Sequence, residues 1–288
     1  MITIRSFIKK HPLLTFYALT FTISWGCLLL AIGGPGTITR LDEQFKKTIP
    51  LMILALLAGP SISGILLTGA FSGRAGLREY RTRLLKWQVG ARWYALALLT
   101  APLLFQAILL PLSLSTPDFL PGVFTASDKA SHLVMGLATG LAAGFFEELG
   151  WIGFAIPRLR QRYSVLATGL IAGLLWAVWH VLPVMWVGYA SGAINGALPL
   201  LSYFLDPFLF LLIFRVFIVW IYDHTGSLLV GMLNHVSLTA SSRIFMPLVI
   251  PVGGLLIFDL VWAAVMCLIV AVIVWSSRGQ LSRQPLSS

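Results

Sequence analysis

Eight apolar runs, each long enough to cross a bilayer, leave this chain few ways to fold. They fall near residues 13–32, 49–71, 93–114, 131–156, 165–187, 200–222, 227–245 and 252–275. About 20 apolar residues span the hydrocarbon layer as a helix. Backbone groups there have no water to bond, so they must be satisfied internally. The expected fold is therefore all-α: a polytopic transmembrane helical bundle of about eight spans, forming one integral membrane domain over residues 1–288. Mean hydropathy of +0.90 and a charged fraction of 10%, against the usual quarter, agree. The stretch 197–245 is the hardest to divide, because Pro199 and Pro207 can bend or delay a helix.

The net charge of +10 reads as loop charge that sets topology, not as a nucleic-acid surface, since the basic residues lie between apolar runs. Arg5, Lys9 and Lys10 precede the first run, six basic residues fall in 74–92, three in 158–162, and Arg278 and Arg283 follow the last run. That places 14 of 20 basic residues on one side. Arg40, Lys46, Lys47, Lys129 and Arg243 fall on the other, and Arg215 falls inside the sixth run. Both termini are expected to be cytoplasmic, in a multi-pass protein of the cytoplasmic membrane whose surroundings are lipid. The first run is too long for a signal-peptide core and has no clean cleavage site, so it reads as a retained helix. Residues 74–92 alternate basic and apolar positions, as either an amphipathic helix at the interface or a solvated connecting helix would. Cys27 and Cys267 read as small buried hydrophobes.

Carboxylates are scarce, yet Glu147 and Glu148 stand side by side within the fourth run. An ionisable residue at the centre of a membrane helix costs about 2.5–3.5 kcal/mol even on lenient scales, which makes it a functional candidate. His180 lies in the fifth run, and His235 with Ser237 and Thr239 in the seventh. If the fourth helix ends at Pro157, Glu147 lies ~15 Å from that end, His180 ~22 Å along its helix and His235 ~12 Å along its own. Helix tilt and side-chain reach can bring all three to one middle layer, opening more easily toward the cytoplasm. Trp151 and Trp176 stand one turn from Glu147 and His180, so aromatic walls should flank the polar groups. Thr239 projects from the same face as His235. Gly140, Gly144, Gly150 and Gly153 thin the fourth helix, for a close helix neighbour or for a passing substrate backbone.

The sequence Glu147-Glu148-Leu-Gly-Trp-Ile-Gly-Phe-Ala-Ile-Pro-Arg158, then Trp176-Ala-Val-Trp-His180, then His235-Val-Ser-Leu-Thr239, resembles the three ordered motifs of the CAAX prenyl protease type II and bacteriocin-processing family. Those motifs are Glu-Glu-x-x-x-Arg, Phe-x-x-x-His and His-x-x-x-Asn/Asp. The resemblance covers about residues 130–245, which would form the catalytic core. It implies an intramembrane endopeptidase that acts on a peptide or membrane-associated protein at a conical cavity open to the cytoplasm. Carried over, Glu147 would activate water, His180 would hold it, Glu148 would support the site electrostatically, and His235 with Thr239 would stabilise the oxyanion. Family members are often called metalloproteases. Two glutamates and two histidines could hold Zn²⁺ with an open position, but no His-Glu-x-x-His helix is present, and the reading leans to a metal-free mechanism.

Two positions depart from the pattern. Ile152 stands where the first motif has arginine, which leaves Glu148 without its expected cation and favours neutral glutamates. Arg158 is one residue that could reach back. Thr239 replaces an amide or carboxylate and reaches less far. A non-hydrolytic relative, such as a bacteriocin-immunity or scaffold protein, and a proton-coupled transporter are the competing readings. Arg215 is expected to snorkel or to pair with Asp206 or Asp223. Ser61 and Ser63 lack a base at fixed spacing and do not suggest a serine protease.

Overall fold

The computed structural model describes residues 4–32 and 43–276. Arg40, Arg278 and Arg283 of the topology argument lie outside them, as do the side chains of Arg5, Lys46 and Lys47. Every regular element among the described residues is helical, with no strand. In order the helices are α1 (Ile4–Lys10), α2 (Pro12–Ile32), α3 (Glu43–Leu84), α4 (Ala91–Ser113), α5 (Gly122–Thr125), α6 (Lys129–Gly150), α7 (Ile156–Arg160), α8 (Val165–Ala190), α9 (Ala197–Thr225), α10 (Leu228–Phe245) and α11 (Val252–Ser276). One π-helical turn, Trp151–Ala155, joins α6 to α7.

Among the described residues, seven helices are long and apolar enough to cross a membrane. The seventh expected span, α10, is not among them and is less apolar because it carries Asn234, His235, Ser237, Thr239, Ser241 and Ser242. It nevertheless packs against α4, α6 and α9, where Asn234 Nδ2 donates to Ala97 O at 3.0 Å and Ser237 Oγ to Leu98 O at 2.7 Å. Its polar side chains are thus turned toward protein, which is where a membrane tolerates them. Large apolar residues such as Leu54, Leu103 and Leu268 face outward, as a lipid-facing surface requires. Cys27 and Cys267 are free and exposed, contrary to the buried positions expected of them. Around Trp262, whose Nε1 donates to Phe210 O at 3.0 Å, the rings of Phe105, Phe210, Phe214 and Phe258 knit α4, α9 and α11 together.

Contacts between helix ends sort the ends of α3, α6, α9 and α10 into two sets. At one end Ser227 Oγ donates to Lys86 O at 2.6 Å, and Arg160 Nε meets Asp223 Oδ1 at 2.7 Å. At the other, a ring nitrogen of His132 lies 3.0 Å from Ile244 O. Asp128, which accepts from Ser131 N at 3.0 Å, caps the start of α6 there.

Helix α3 breaks at Gly73, where φ is 56° and ψ is −149°, a backbone that L side chains rarely adopt. The arm beyond the break turns Tyr80 inward, while Leu77, Leu85 and Trp87 stay exposed beside Arg74, Arg78 and Arg81. The arm is therefore anchored to the bundle through one face.

Without a hydrophobic drive between helices in lipid, close packing holds them together, and small residues permit it. Gly140 and Gly144 lie against α10: an added Cβ would stand 2.7 Å from Val236 O at the first and 2.6 Å from Val236 N at the second. At Gly153 it would strike the Tyr80 ring, and at Gly150 the Pro60 carbonyl of α3. All four glycines serve helix or side-chain approach. Gly150→Ala must push backbone from backbone, so we expect a loss of about 1–3 kcal/mol, read as a lower thermal midpoint in detergent. An unchanged midpoint would show that α3 and α6 can part freely here.

Candidate active site

The first motif sits just before the π turn. The sequence placed the end of the fourth helix at Pro157, but the helix runs on to Arg160. Pro157 has no N–H to donate, and Ile156 N bonds back to Trp151 O, closing the wider turn. The carbonyls left over find side chains. Arg83 Nη2 donates to Gly153 O at 3.0 Å, Tyr80 OH to Leu149 O at 2.6 Å, and Arg158 Nη1 to Phe154 O at 3.1 Å. The arm after Gly73 thus holds the irregular turn in shape. Arg158 lies over the Phe154 ring, at 3.6 Å, instead of reaching back to Glu148.

Glu147 is buried on the cavity side of α6. Its Oε2 accepts from Trp176 Nε1 at 2.7 Å and from Trp151 Nε1 at 3.3 Å. The two tryptophans expected as walls are therefore also donors that fix one oxygen of this carboxylate. His180 Nδ1 lies 3.0 Å from Trp176 O. A carbonyl only accepts, so Nδ1 carries the proton and Nε2 keeps its lone pair.

Glu148 is fully buried behind Glu147. Its Oε1 accepts from His235 Nδ1 at 2.7 Å and from Arg215 Nη1 at 2.6 Å. The expectation of a Glu148 left without a cation is overturned. Arg215 of α9 supplies the guanidinium that Ile152 cannot, and its Cζ also lies 3.8 Å from the Trp176 ring centroid. Its expected partners are engaged or placed elsewhere: Asp223 pairs with Arg160, and Asp206 lines the cavity. Ile152 is fully buried, with its Cδ1 methyl set against Gly231 of α10. The signal that could have found Arg215 was a lone arginine in an apolar helix of a chain whose motif lacked one.

Glu147, Trp176, His180, His235 and Thr239 all line one cavity of about 610 Å³, a size common for ligand sites. Every candidate residue is thus brought together, with Glu148 one layer behind. The sequence had the cavity opening toward the Arg-rich loops. It extends instead into the opposite half of the bundle. Between the site and those loops, Phe16, Trp151, Phe154 and Ile156 fill the interior with buried side chains. Ser61 donates to Phe146 O at 2.6 Å, a structural role with no base beside it.

A resident metal would need its ligands from this set. Glu148 and Nδ1 of His235 are committed to each other. Among the described residues, no group of three or more His, Cys, Asp or Glu side chains is arranged to hold an ion. The described residues do not fit a metal as they stand.

Comparison with known proteins agrees with the motifs. Residues 129–241 match the family described as "Type II CAAX prenyl endopeptidase Rce1-like". The chain is also 26% identical, over 226 residues, to a protein of Methanococcus maripaludis named "CAAX prenyl protease 2", with 74% of this chain and 76% of that protein covered. The stretch 129–241 contains Glu147, Glu148, His180, Arg215, His235 and Thr239. Over the stretch that holds this polar core, the chain is similar to the type II CAAX prenyl endopeptidases.

Proposed function

We propose that this multi-pass membrane protein is an intramembrane endopeptidase of the cell membrane, hydrolysing a peptide bond with water activated by Glu147 and His180. The observation that carries this reading is the clamp on Glu147. Two indole N–H groups hold Oε2, which leaves Oε1 to take a proton from water in a cavity that also presents His180 and His235. Nε2 of His180 accepts from the same water and orients it toward the substrate carbonyl. As the water oxygen bonds to carbon, its proton passes to Glu147, and the carbonyl oxygen becomes an oxyanion. His235 Nε2–H and Thr239 Oγ1–H donate to that oxygen, where one aimed donor commonly contributes about 2.7–4 kcal/mol. Glu147 then returns the proton to the leaving nitrogen as the C–N bond breaks, releasing a carboxylic acid and an amine.

Charge balance favours this assignment. With His235 as imidazolium, the two glutamates, Arg215 and His235 sum to zero, and an uncompensated buried charge would be costly. His235 then offers Nδ1–H to Glu148 and Nε2–H to the oxyanion. Thr239 donates as the amide of the related motif would, over a shorter reach.

The purified full chain in detergent is expected to cleave a quenched fluorescent peptide, prenylated or not, and to keep that activity after dialysis against a chelator. Cleavage lost on chelation and restored by zinc would replace the metal-free mechanism. No cleavage of any membrane peptide, with the protein folded, would favour a non-hydrolytic role.

A further inference from the structure

The cavity lies wholly in one half of the bundle. Its walls come from Leu28 near the end of α2, Met52 early in α3, Val187 late in α8, Asp206 early in α9, Met246 after α10 and Asp259 early in α11. Glu147, Trp176 and His235 form its floor near mid-span. The end contacts described above place the segments of α3, α9 and α10 at the His132–Ile244 end; chain order places the start of α11 there, and the cluster of Leu28, Met52, Trp186 and Ala190 adds the ends of α2 and α8. The half beyond the floor is filled by aromatic and aliphatic side chains, and the Tyr80–Arg83 arm closes over it.

Basic residues sort oppositely. Lys9, Lys10, the cluster from Arg74 to Arg92, and Arg158 to Arg162 gather at the closed end. Among the described side chains, the cavity end has Lys129 and Arg243. Short loops rich in Lys and Arg stay in the cytoplasm. The closed end therefore faces the cytoplasm, and the cavity does not.

We infer that the cavity is loaded from the side of the membrane opposite the cytoplasm. Resting on the peptidase reading, its substrate is a translocated peptide or a membrane-protein segment presented in the outer half of the bilayer, not a cytoplasmic chain terminus. The polar residues in the outer wall fit a hydrated entrance. Asp259 is buried, with no hydrogen-bond partner for either carboxylate oxygen among the described residues, and Asp206 and Arg243 line the same space.

Cysteine accessibility tests the side of entry independently of catalysis. In the full chain carrying Cys27→Ser and Cys267→Ser, single cysteines are placed by Ser242→Cys and, as a second cavity position, Val187→Cys. Gln88→Cys marks the closed end and Ser115→Cys the cavity end, both being exposed. Intact cells are treated with a membrane-impermeant sulfonated maleimide, and the remaining thiols are read after lysis by a polyethylene-glycol maleimide gel shift. The gel shift should be lost at Ser115→Cys and at both cavity positions, and kept at Gln88→Cys. In inverted vesicles the pattern should reverse. Cavity cysteines that protect together with Gln88→Cys, or that react from neither side, would overturn the inference. The expected labelling combined with an inactive wild type would sink the peptidase reading alone.

Discussion

Glu147→Gln is expected to lower kcat for peptide cleavage by about 10²–10⁴-fold, the usual worth of a positioned general base, while leaving the protein folded. The amide has nearly the shape of the carboxylate, and its oxygen can still accept from Trp176 and Trp151. What it cannot do is take a proton from water. KM should change far less than kcat, because the group acts on the water and not on the substrate's remote contacts. Trp176→Phe makes the companion test: it removes the donor at 2.7 Å but keeps the ring, so it should impair turnover less than loss of the base does. Both are measured as steady-state cleavage of a quenched peptide, with thermal unfolding as the control for folding. A Glu147→Gln enzyme working at wild-type speed would remove the proposed base and the mechanism with it.

Arg215→Met carries the largest expected effect on stability. Arg215 and Glu148 are both completely buried, 2.6 Å apart. Removing one partner of such a pair strands the other's charge, at a cost of about 3–5 kcal/mol. The substitution also removes the guanidinium stacked on Trp176, whose indole holds Glu147. The thermal midpoint in detergent should fall sharply, and Arg215→Met combined with Glu148→Gln should recover part of the loss, since the double change leaves no stranded charge. Arg160→Met offers a comparison at a helix end, where Asp223 is partly exposed and water can replace the lost partner. If Arg215→Met proves no worse than Arg160→Met, the buried pair is not what holds α9 to α6.

Much of this architecture is legible in the sequence because membrane helices announce themselves through long apolar runs and their polar interruptions. Glu147, His180 and His235 stand out for the same reason, and a spacing of four residues correctly brings Trp151 to Glu147 and Trp176 to His180. Arg215 was misassigned because sequence distance does not say which helices touch: α9 meets α6 at Glu148 only once the whole bundle is assembled. The π turn was missed because Pro157 signals a stop, and nothing local reveals that Tyr80, Arg83 and Arg158 would satisfy the loosened carbonyls. The open end of the cavity was misjudged for a related reason. Depth along a helix gives the layer of the site, but the direction of opening depends on where large side chains fill the space around it.

The π turn has a bearing on how this helix can change length. A wider turn holds one residue more than an ordinary one, and each helical residue corresponds to about 100° of rotation. Deleting a single position between Trp151 and Ala155 would let an uninterrupted spiral form with Arg158 and Arg160 near their present bearing, but without the loosened carbonyls that Tyr80 and Arg83 now meet. The turn is thus the one place between the first motif and its basic end where a residue can be lost without rotating that end; a length change elsewhere there would turn it by about 100° even if every named side chain survived.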